Sequence, residues 1–417
     1  MKRRDFVRAS AVAAGSSFLG VDVVADTLSR TRVSPSDQVN LGVIGAGSRG
    51  QHMMRVFLRV PGVRVTALCD VYEPRFGESR RISGEDTPAF VDYRRMLDAS
   101  ADLDAVIVAT PLCYHGEHMV ASLERGLNVY GEKAMGFTVE DCDAIVAAAR
   151  ESPGRLQTGL QYRYAPWYRQ AIERIRTGEI GRVTHVYGYW HRNYNWRRPV
   201  PEPSLERLIN WRLYREYSGG LLAELGSHQI DVANWIFGEM PESVVGAGAV
   251  TFYPDGRETF DNVQAIFTYP SGGTHVFSSV IGNHKVGYQV NIYGTGGTIE
   301  LTLEDGAFYY EPARENSAVP RELIEEGAHT SPTLATRGDM PYRGEGLPIE
   351  VSEGERGSPD LFAAAAFVES VRTGSKPFAD EEVGRASAVA VALGNQAIRG
   401  RERVDFPHGL RDTEARS

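Results

Sequence analysis

The chain is poor in the features that mark several large functional classes. Cysteine occurs three times in 417 residues, at Cys69, Cys113 and Cys142, with no Cys-x-x-Cys and no cysteine–histidine spacing. A disulfide scaffold or a zinc centre is therefore not expected, and no metal ligands are assigned. Basic runs are missing beyond the first eight residues, and the formal net charge is −9. Nucleic acid and anionic membrane surfaces find no electrostatic footprint here, so neither is expected as a partner. No apolar stretch reaches the roughly 20 residues that span a bilayer, so no stable membrane anchor is expected. The remaining composition, 42% apolar and 24% charged, is that of a globular protein with room for two domains.

The first residues are the exception to this charge pattern. Lys2-Arg3-Arg4-Asp5-Phe6-Val7-Arg8 precedes a modestly apolar stretch over 9–19. A charged segment followed by a short apolar one reads as a targeting sequence. The Arg3-Arg4 pair with Phe6 resembles a twin-arginine export signal. Residues 1–25 are expected to be that signal and 26–38 a linker. The twin-arginine export machinery is then a partner, and the location is periplasmic or otherwise exported.

From residue 39 the pattern alternates strand and helix. Strands are expected over 41–44, 63–70, 105–109, 128–131 and 156–159. Helices are expected near 49–60, 92–99, 114–125 and 138–151. Such alternation predicts a parallel, doubly wound sheet, with ligands bound outside the carboxyl ends of its strands. The first strand runs into Gly45-Ala46-Gly47-Ser48-Arg49-Gly50, a G-x-G-x-x-G. Gly45 permits the tight turn, Gly47 admits a pyrophosphate to the backbone, and Gly50 lets helix and strand pack closely. The helix start offers unpaired N–H groups and partial positive charge to that phosphate. Asp70 ends the second strand, where a carboxylate suits an adenosine ribose and repels a 2′-phosphate. NAD is therefore the expected cofactor. Arg49 is either a grip on the pyrophosphate or a solvent-facing residue of the first turn.

Two further strand ends carry polar groups. The run 106–109 leads to Thr110-Pro111 and then His115, and 127–130 leads to Gly131-Glu132-Lys133-Ala134. A lysine placed at the end of a buried strand faces the crevice, where burial suits it to proton chemistry; taken alone, Glu132-Lys133 reads more readily as an exposed loop pair. The glycine motif with Asp70, the strand ending in Ala-Thr-Pro before His115, and Glu-Lys-Ala after the next strand resemble the Gfo/Idh/MocA oxidoreductase family. That family's third motif is usually Glu-Lys-Pro; Ala134 stands in place of the proline. The resemblance implies an N-terminal Rossmann domain over 39–155 and an α+β substrate and oligomerisation domain over 156–400. The second domain would carry a large, mostly antiparallel open sheet, a long loop over 311–357, and a tail from 401 to 417. Ser48, Arg49, Thr110, Pro111, His115, Glu132, Lys133 and Gln161 join the glycines and Asp70 as expected cofactor contacts.

In the second half, Gln161-Tyr162-Arg163 resembles the family's segment beneath the nicotinamide. Residues 187–217 are rich in aromatics, including Trp196 and Trp211, interleaved with donors such as Arg197 and Arg198. Aromatic faces with interleaved donors suit a polyhydroxylated ring; the other use is packing of the sheet or of an oligomer interface. A helix expected between Ser218 and Gly238 carries Glu224, His228 and Asp231 at i, i+4 and i+7, a polar stripe on an apolar helix. Alternating segments from 244 to 310 predict an antiparallel meander, and 359–372 and 381–399 predict closing helices. The family motif here is Gly-Gly followed by Asp-x-x-x-His-x-x-Asp, matched with Glu224 in place of the first aspartate.

The resemblance implies hydride transfer between a sugar or polyol hydroxyl and NAD. His228 would accept the hydroxyl proton and Lys133 would bond the reacting oxygen. Glu224 would orient His228 or bind a substrate hydroxyl. Tyr162, Arg163, Trp196, Arg197, Trp211 and Asp231 are the expected substrate contacts. The alternative is a glycoside-cleaving enzyme that uses NAD for transient sugar oxidation; a non-catalytic sugar-binding protein is a third possibility. A homo-oligomer formed through the second sheet is also expected.

Overall fold

The computed structural model describes residues 37–311 and 346–411, together with Leu28, Val33 and Ser34. The expected signal over 1–25, most of the expected loop (312–345) and the end of the tail (412–417) lie outside the described residues.

Six parallel strands build the first sheet: β1 (Val39–Ile44), β2 (Val63–Cys69), β3 (Ala89–Phe90), β4 (Ala105–Val108), β5 (Asn128–Gly131) and β6 (Leu156–Thr158). Their order is β3-β2-β1-β4-β5-β6. Helices α1 (Ser48–Phe57), α2 (Arg75–Ser83), α3 (Tyr93–Ala99), α4 (His115–Glu124) and α5 (Val139–Glu151) connect them. β4 is buried along its whole length, as a strand covered on both faces must be, which is why it reads as an unbroken apolar run. The order reverses between β1 and β4, and the crevice at that switch point is where such sheets bind ligands. β3 and α2 are additions to the expected pattern. β3 is a two-residue edge strand, too short to show a period in sequence.

The second sheet contains β7 (Val183–His191), β8 (Ser243–Ala249), β9 (Asn262–Thr268), β10 (Thr274–Val280), β11 (Tyr288–Gly294), β12 (Gly297–Leu301), β13 (Gly306–Tyr310), β14 (Leu347–Pro348) and β15 (Val404–Asp405). Its order is β14-β13-β12-β11-β7-β10-β9-β8-β15. All pairs are antiparallel except β7 with β10. The meander is therefore interrupted, because β7 inserts between β11 and β10. Burial alternates residue by residue along β10, the mark of a sheet covered on one face. Helix α6 (Pro166–Arg176) and helix α7 (Ser227–Phe237), which continues a π-helical turn over Leu222–Gly226, pack on the covered face.

The chain then crosses back. Helix α8 (Pro359–Thr373) buries Ala363, Ala364, Ala365 and Phe367 against Leu41, Phe57 and Tyr130 of the first domain. Its alanines permit close approach to α1 and β1. The first domain's core is thus completed by residues 359–373, not by 39–155 alone. Helix α9 (Glu381–Gly400) returns to pack against α5, α7 and β8. The tail expected from 401 is also not free. Val404 and Asp405 pair with Val244 and Ser243, and Val404 and Phe406 are buried, so this short alternating run adds an edge strand.

Candidate active site

The glycine loop closes as its motif requires. Gly45 sits at φ +94°, and a Cβ there would lie 2.7 Å from the Ala109 carbonyl. A Cβ on Gly50 would lie 2.0 Å from the Gly45 oxygen. These contacts place the start of α1 at the mouth of a crevice of about 380 Å³. Gly45, Gly47, Ser48, Asp70, Thr110 and Pro111 form its first-domain wall; Arg198, Trp211 and Arg212 come from the second domain. Asp70 accepts from the Tyr72 amide at 2.8 Å and from Arg75 Nη1 at 2.9 and 3.0 Å.

Arg49 lines the crevice half-buried, and its guanidinium is committed to carboxylates of the chain. Its Nε donates to Glu132 at 2.7 Å, and its two Nη atoms fork onto Asp360 of α8 at 3.0 and 2.8 Å. His52 Nε2 lies 2.8 Å from the same carboxylate. Burial opposes charge on Asp360, yet hydrogen bonds from His52 and Arg49 outweigh it and hold the carboxyl well below its ordinary range. Glu132 is thereby a partner of Arg49.

Lys133 lies just past β5, half-buried, with its Nζ donating to the Glu224 carbonyl oxygen at 2.9 Å. That carbonyl belongs to the π-helical turn. Burial lowers the Lys133 pKa, and the Glu224 and Glu132 carboxylates oppose the shift. The Glu224 carboxylate accepts from Arg212 Nε at 2.9 Å. Burial raises its pKa, but Arg212 and Lys133 prevail and keep it ionised. Glu224 therefore serves Lys133 through its backbone and Arg212 through its side chain; no hydrogen bond joins it to His228 among the described residues. His228 is 3% exposed, against Tyr162 at 5.2 Å and Trp190 at 5.6 Å between ring centroids. Burial drives its pKa well below 6.5, and the Lys133 cation lowers it further. The ring is neutral, and its buried Nδ1 has no hydrogen-bond partner.

The other expected residues divide between crevice and scaffold. The His115 ring nitrogens face the carbonyls of Ala134 at 2.8 Å and Thr110 at 3.0 Å. Burial keeps the ring neutral, and its single N–H can donate to only one of them. His115 thus ties two strand-end loops together. The Lys133–Ala134 peptide bond, within the loop after β5, is cis. Gln161 and Tyr162 occupy a 3₁₀ turn; Tyr162 stacks on Tyr168, and the Gln161 side-chain oxygen is buried without a partner. Trp211 lines both the crevice and the adjoining space beside Lys133. Trp196 packs against the core. Arg197 is pinned by Asp255 at 2.9 Å and by Glu206.

Arg163 and Asp231 are each other's partners. Three hydrogen bonds of 2.8 to 3.0 Å join them, and Trp235 and Phe378 take the guanidinium on their faces at 5.1 and 5.3 Å. The pair borders a separate hollow of about 670 Å³ against the start of α9. A still larger hollow, about 1080 Å³, borders β12 and β13. Neither touches the glycine loop, so hollow size does not locate the chemistry. No group of three His, Cys, Asp or Glu among the described residues could hold a metal ion.

Three residues of the site escape sequence patterns. Arg212 and Arg198 stand in the aromatic-rich segment, whose alternating donors mark the region without selecting its members. Asp360 contacts Arg49 across 311 positions and has no local signal.

The comparisons agree with this geometry. The family described as oxidoreductase family, NAD-binding Rossmann fold, matches residues 39–160. The GFO/IDH/MocA C-terminal domain matches 168–300, and together the two matches exceed half of the chain. The putative oxidoreductase YteT of Bacillus subtilis is 33% identical over 46% of this chain and 44% of its own length, so the chain spans under half of that relative. The 2,7-anhydro-N-acetylneuraminate hydratase of Mediterraneibacter gnavus is 28% identical over 69% of this chain and 74% of the relative. The scyllo-inositol 2-dehydrogenase (NAD(+)) of Bacillus subtilis is 26% identical over 63% and 73%. Levoglucosan dehydrogenase in complex with NADH, at 20% identity and a TM-score of 0.68, has the same fold over 89% of this chain and 99% of its own. A glycine turn at a helix start, a carboxylate at the end of β2 and a half-buried lysine beyond β5 suit NAD. The chain belongs to the Gfo/Idh/MocA family of NAD-binding oxidoreductases.

Proposed function

We propose that the protein transfers a hydride between a secondary hydroxyl of a sugar or polyol and NAD(H) held in the crevice. One observation carries this: a buried, neutral His228 with an unpartnered ring nitrogen, beside a half-buried Lys133 anchored on the Glu224 carbonyl. A buried polar group without a partner can take a bond from a ligand; His275 Nε2 and Trp235 Nε1 are also unpartnered, and it is the place beside Lys133 that singles out His228. The relatives named as a scyllo-inositol dehydrogenase and an anhydro-sugar hydratase support a carbohydrate substrate.

The Gly45–Gly50 loop would hold the pyrophosphate, Asp70 the adenosine ribose, and Thr110 and Pro111 the wall beside them. NAD, when bound, supplies the hydride acceptor. His228 takes the proton of the substrate hydroxyl, a task for which a neutral imidazole is ready without first losing a proton. Lys133 donates a hydrogen bond to the same oxygen and favours its anionic character. Arg212 holds Glu224, whose carbonyl fixes the ammonium in place. The test is hydride transfer in a single turnover by NAD-loaded Lys133→Met and His228→Ala. The proposal expects both to be strongly impaired, and near-wild-type transfer in both contradicts it.

A second reading has support from the hydratase relative. In that reading NAD, held by the same loop, would serve as a transient hydride acceptor around a bond-breaking step, as in a glycoside-cleaving enzyme. Product analysis separates the two: a keto-sugar for net oxidation, a released group with no net change in NAD for the other. We also infer twin-arginine export of a protein already loaded with NAD. Replacing Arg3-Arg4 by two lysines should abolish export of a fused reporter, and unchanged export refutes this inference. A homo-oligomer through the open face of the second sheet is supported by Tyr187, Tyr189 and Tyr293 on that face and by exposed Val245 and Ile266. Sedimentation should give more than one chain per particle.

A further inference from the structure

The crevice has an uneven balance of charge. Five arginines line it: Arg49, Arg75, Arg94, Arg198 and Arg212. Four are neutralised in place. Arg49 is held by Glu132 and Asp360, Arg75 by Asp70, Arg94 by Glu117, and Arg212 by Glu224. Arg198 has no carboxylate partner among the described residues. Its Nη1 donates to Ser48 Oγ at 2.9 Å, so the guanidinium of a second-domain residue rests on the first residue of α1.

The position is fixed by the backbone of Arg198, not by its side chain. The Arg198 amide donates to Asn210 Oδ1 at 2.7 Å, and Asn210 Nδ2 donates back to the Arg198 carbonyl at 2.9 Å. Asn210 is 2% exposed and also holds Glu206 at 3.0 Å. Next to it, Arg197 is tied to Asp255 and Glu206. The backbone is thereby held in place, and Arg198, exposed and without a carboxylate partner among the described residues, reaches Ser48 beside the turn where Gly47 and the helix N–H groups would take a pyrophosphate. A helix start favours an anion weakly by itself; a guanidinium adds charge-assisted bonds that fit phosphate oxygens.

We infer that Arg198 is the pyrophosphate-binding cation of this protein. The job that the sequence motif offered to Arg49 has passed to a residue of the substrate domain. This rests on the proposed NAD-dependent function and goes beyond it, because it assigns retention of the cofactor to a contact between domains. Dissociation of NAD then requires Arg198 to release both the ligand and Ser48, so cofactor release is coupled to separation of the two walls.

The test reads binding without turnover. NADH is loaded into the full chain, excess NAD is added, and loss of NADH fluorescence gives the dissociation rate for wild type, Arg198→Gln, Arg198→Lys and Ser48→Ala. The substitutions at 198 leave the backbone bonds to Asn210 available, and thermal melting checks that each variant is folded. Arg198→Gln should release NADH at least tenfold faster, Arg198→Lys by an intermediate factor, and Ser48→Ala by less than Arg198→Gln. Raising the salt concentration should speed release from wild type more than from Arg198→Gln, since one ion pair is missing in the variant. Release within twofold of wild type by folded Arg198→Gln overturns the inference. That outcome would stand even if sugar oxidation were established, and failure to oxidise any sugar would leave a faster release intact.

Discussion

Two polar clusters lie along one helix and behave differently. At its start, half-buried Lys133 and Glu224 stand with buried His228, whose imidazole Nδ1 is unpartnered. Further on, Asp231 and Arg163 form a buried pair whose guanidinium and carboxylate share three hydrogen bonds and two aromatic faces. Both clusters contain the charged residues that a functional site needs, and the sequence motif joins them. What separates them is satisfaction: the second has closed its bonding within the chain, whereas the first has left part of it for something else. Buried charges completed by each other position the fold, and buried groups left incomplete are where a substrate can add a bond.

The comparison can be broken most severely at the first cluster. Lys133→Met or His228→Ala should reduce kcat by about 10³-fold, the scale of losing one preorganised proton-transfer or oxyanion-stabilising group. Melting should change far less than rate; a variant that loses stability but keeps turnover would reverse the roles of the clusters. The second cluster should show the opposite. Asp231→Asn leaves Arg163 charged and buried, at a cost of about 3–5 kcal/mol in urea unfolding. Turnover per folded molecule should stay within a few-fold, and a loss comparable to that of Lys133→Met would bring Asp231 back as a substrate ligand.

The pH dependence of stability sharpens the contrast through the buried histidines. Burial lowers the pKa of His275 to about 4 and drives those of His115 and His228 below 6.5. The unfolded chain binds protons at these groups first, so the stability they allow is present above pH 6.5 and is lost as pH falls from there towards 4. His275 alone should contribute on the order of 3 kcal/mol to that loss. Urea midpoints between pH 7.5 and 4.5 should decline accordingly; a flat profile would contradict the burial of neutral imidazoles. The smallest effect expected is in the double variant Arg163→Met with Asp231→Leu, which removes both charges of the pair. It should recover most of the stability lost in Asp231→Asn, because an apolar pair of similar volume replaces a desolvated ion pair at little net cost. No recovery would mean that the pair's geometry, not its charge balance, supports α7.

Much of the first domain is legible in its residues because its signals are local. Apolar runs such as 105–108 are strands covered on both faces, and the Gly45–Gly50 spacing requires a tight turn followed by a helix. Lys133 is legible only through the resemblance of its Glu-Lys-Ala run to a family motif, because a strand-end Glu-Lys pair by itself reads as an exposed loop. What is not legible depends on distant parts of the chain. Arg49 looks like a phosphate ligand until Asp360 arrives on α8, and nothing near residue 360 announces that helix as part of the first domain's core. The parallel pairing of β7 with β10 and the edge strand at Val404 depend on which strands happen to be neighbours, a choice that alternation alone does not encode. Glu224, His228 and Asp231 do lie on one helical stripe, but the π-helical turn and the partners Arg212 and Arg163 divide them between cleft and scaffold.

The central claim, that this cleft exchanges hydride between bound NAD and a carbohydrate hydroxyl, is tested most directly by absorbance at 340 nm. The protein is examined as purified and again after addition of a panel of sugars and polyols. The account predicts NAD carried through purification and a rise at 340 nm with at least one member of the panel, absent in His228→Ala. Protein that is routinely free of cofactor, with micromolar or weaker affinity for NAD and no absorbance change with any sugar when NAD is supplied, would contradict it.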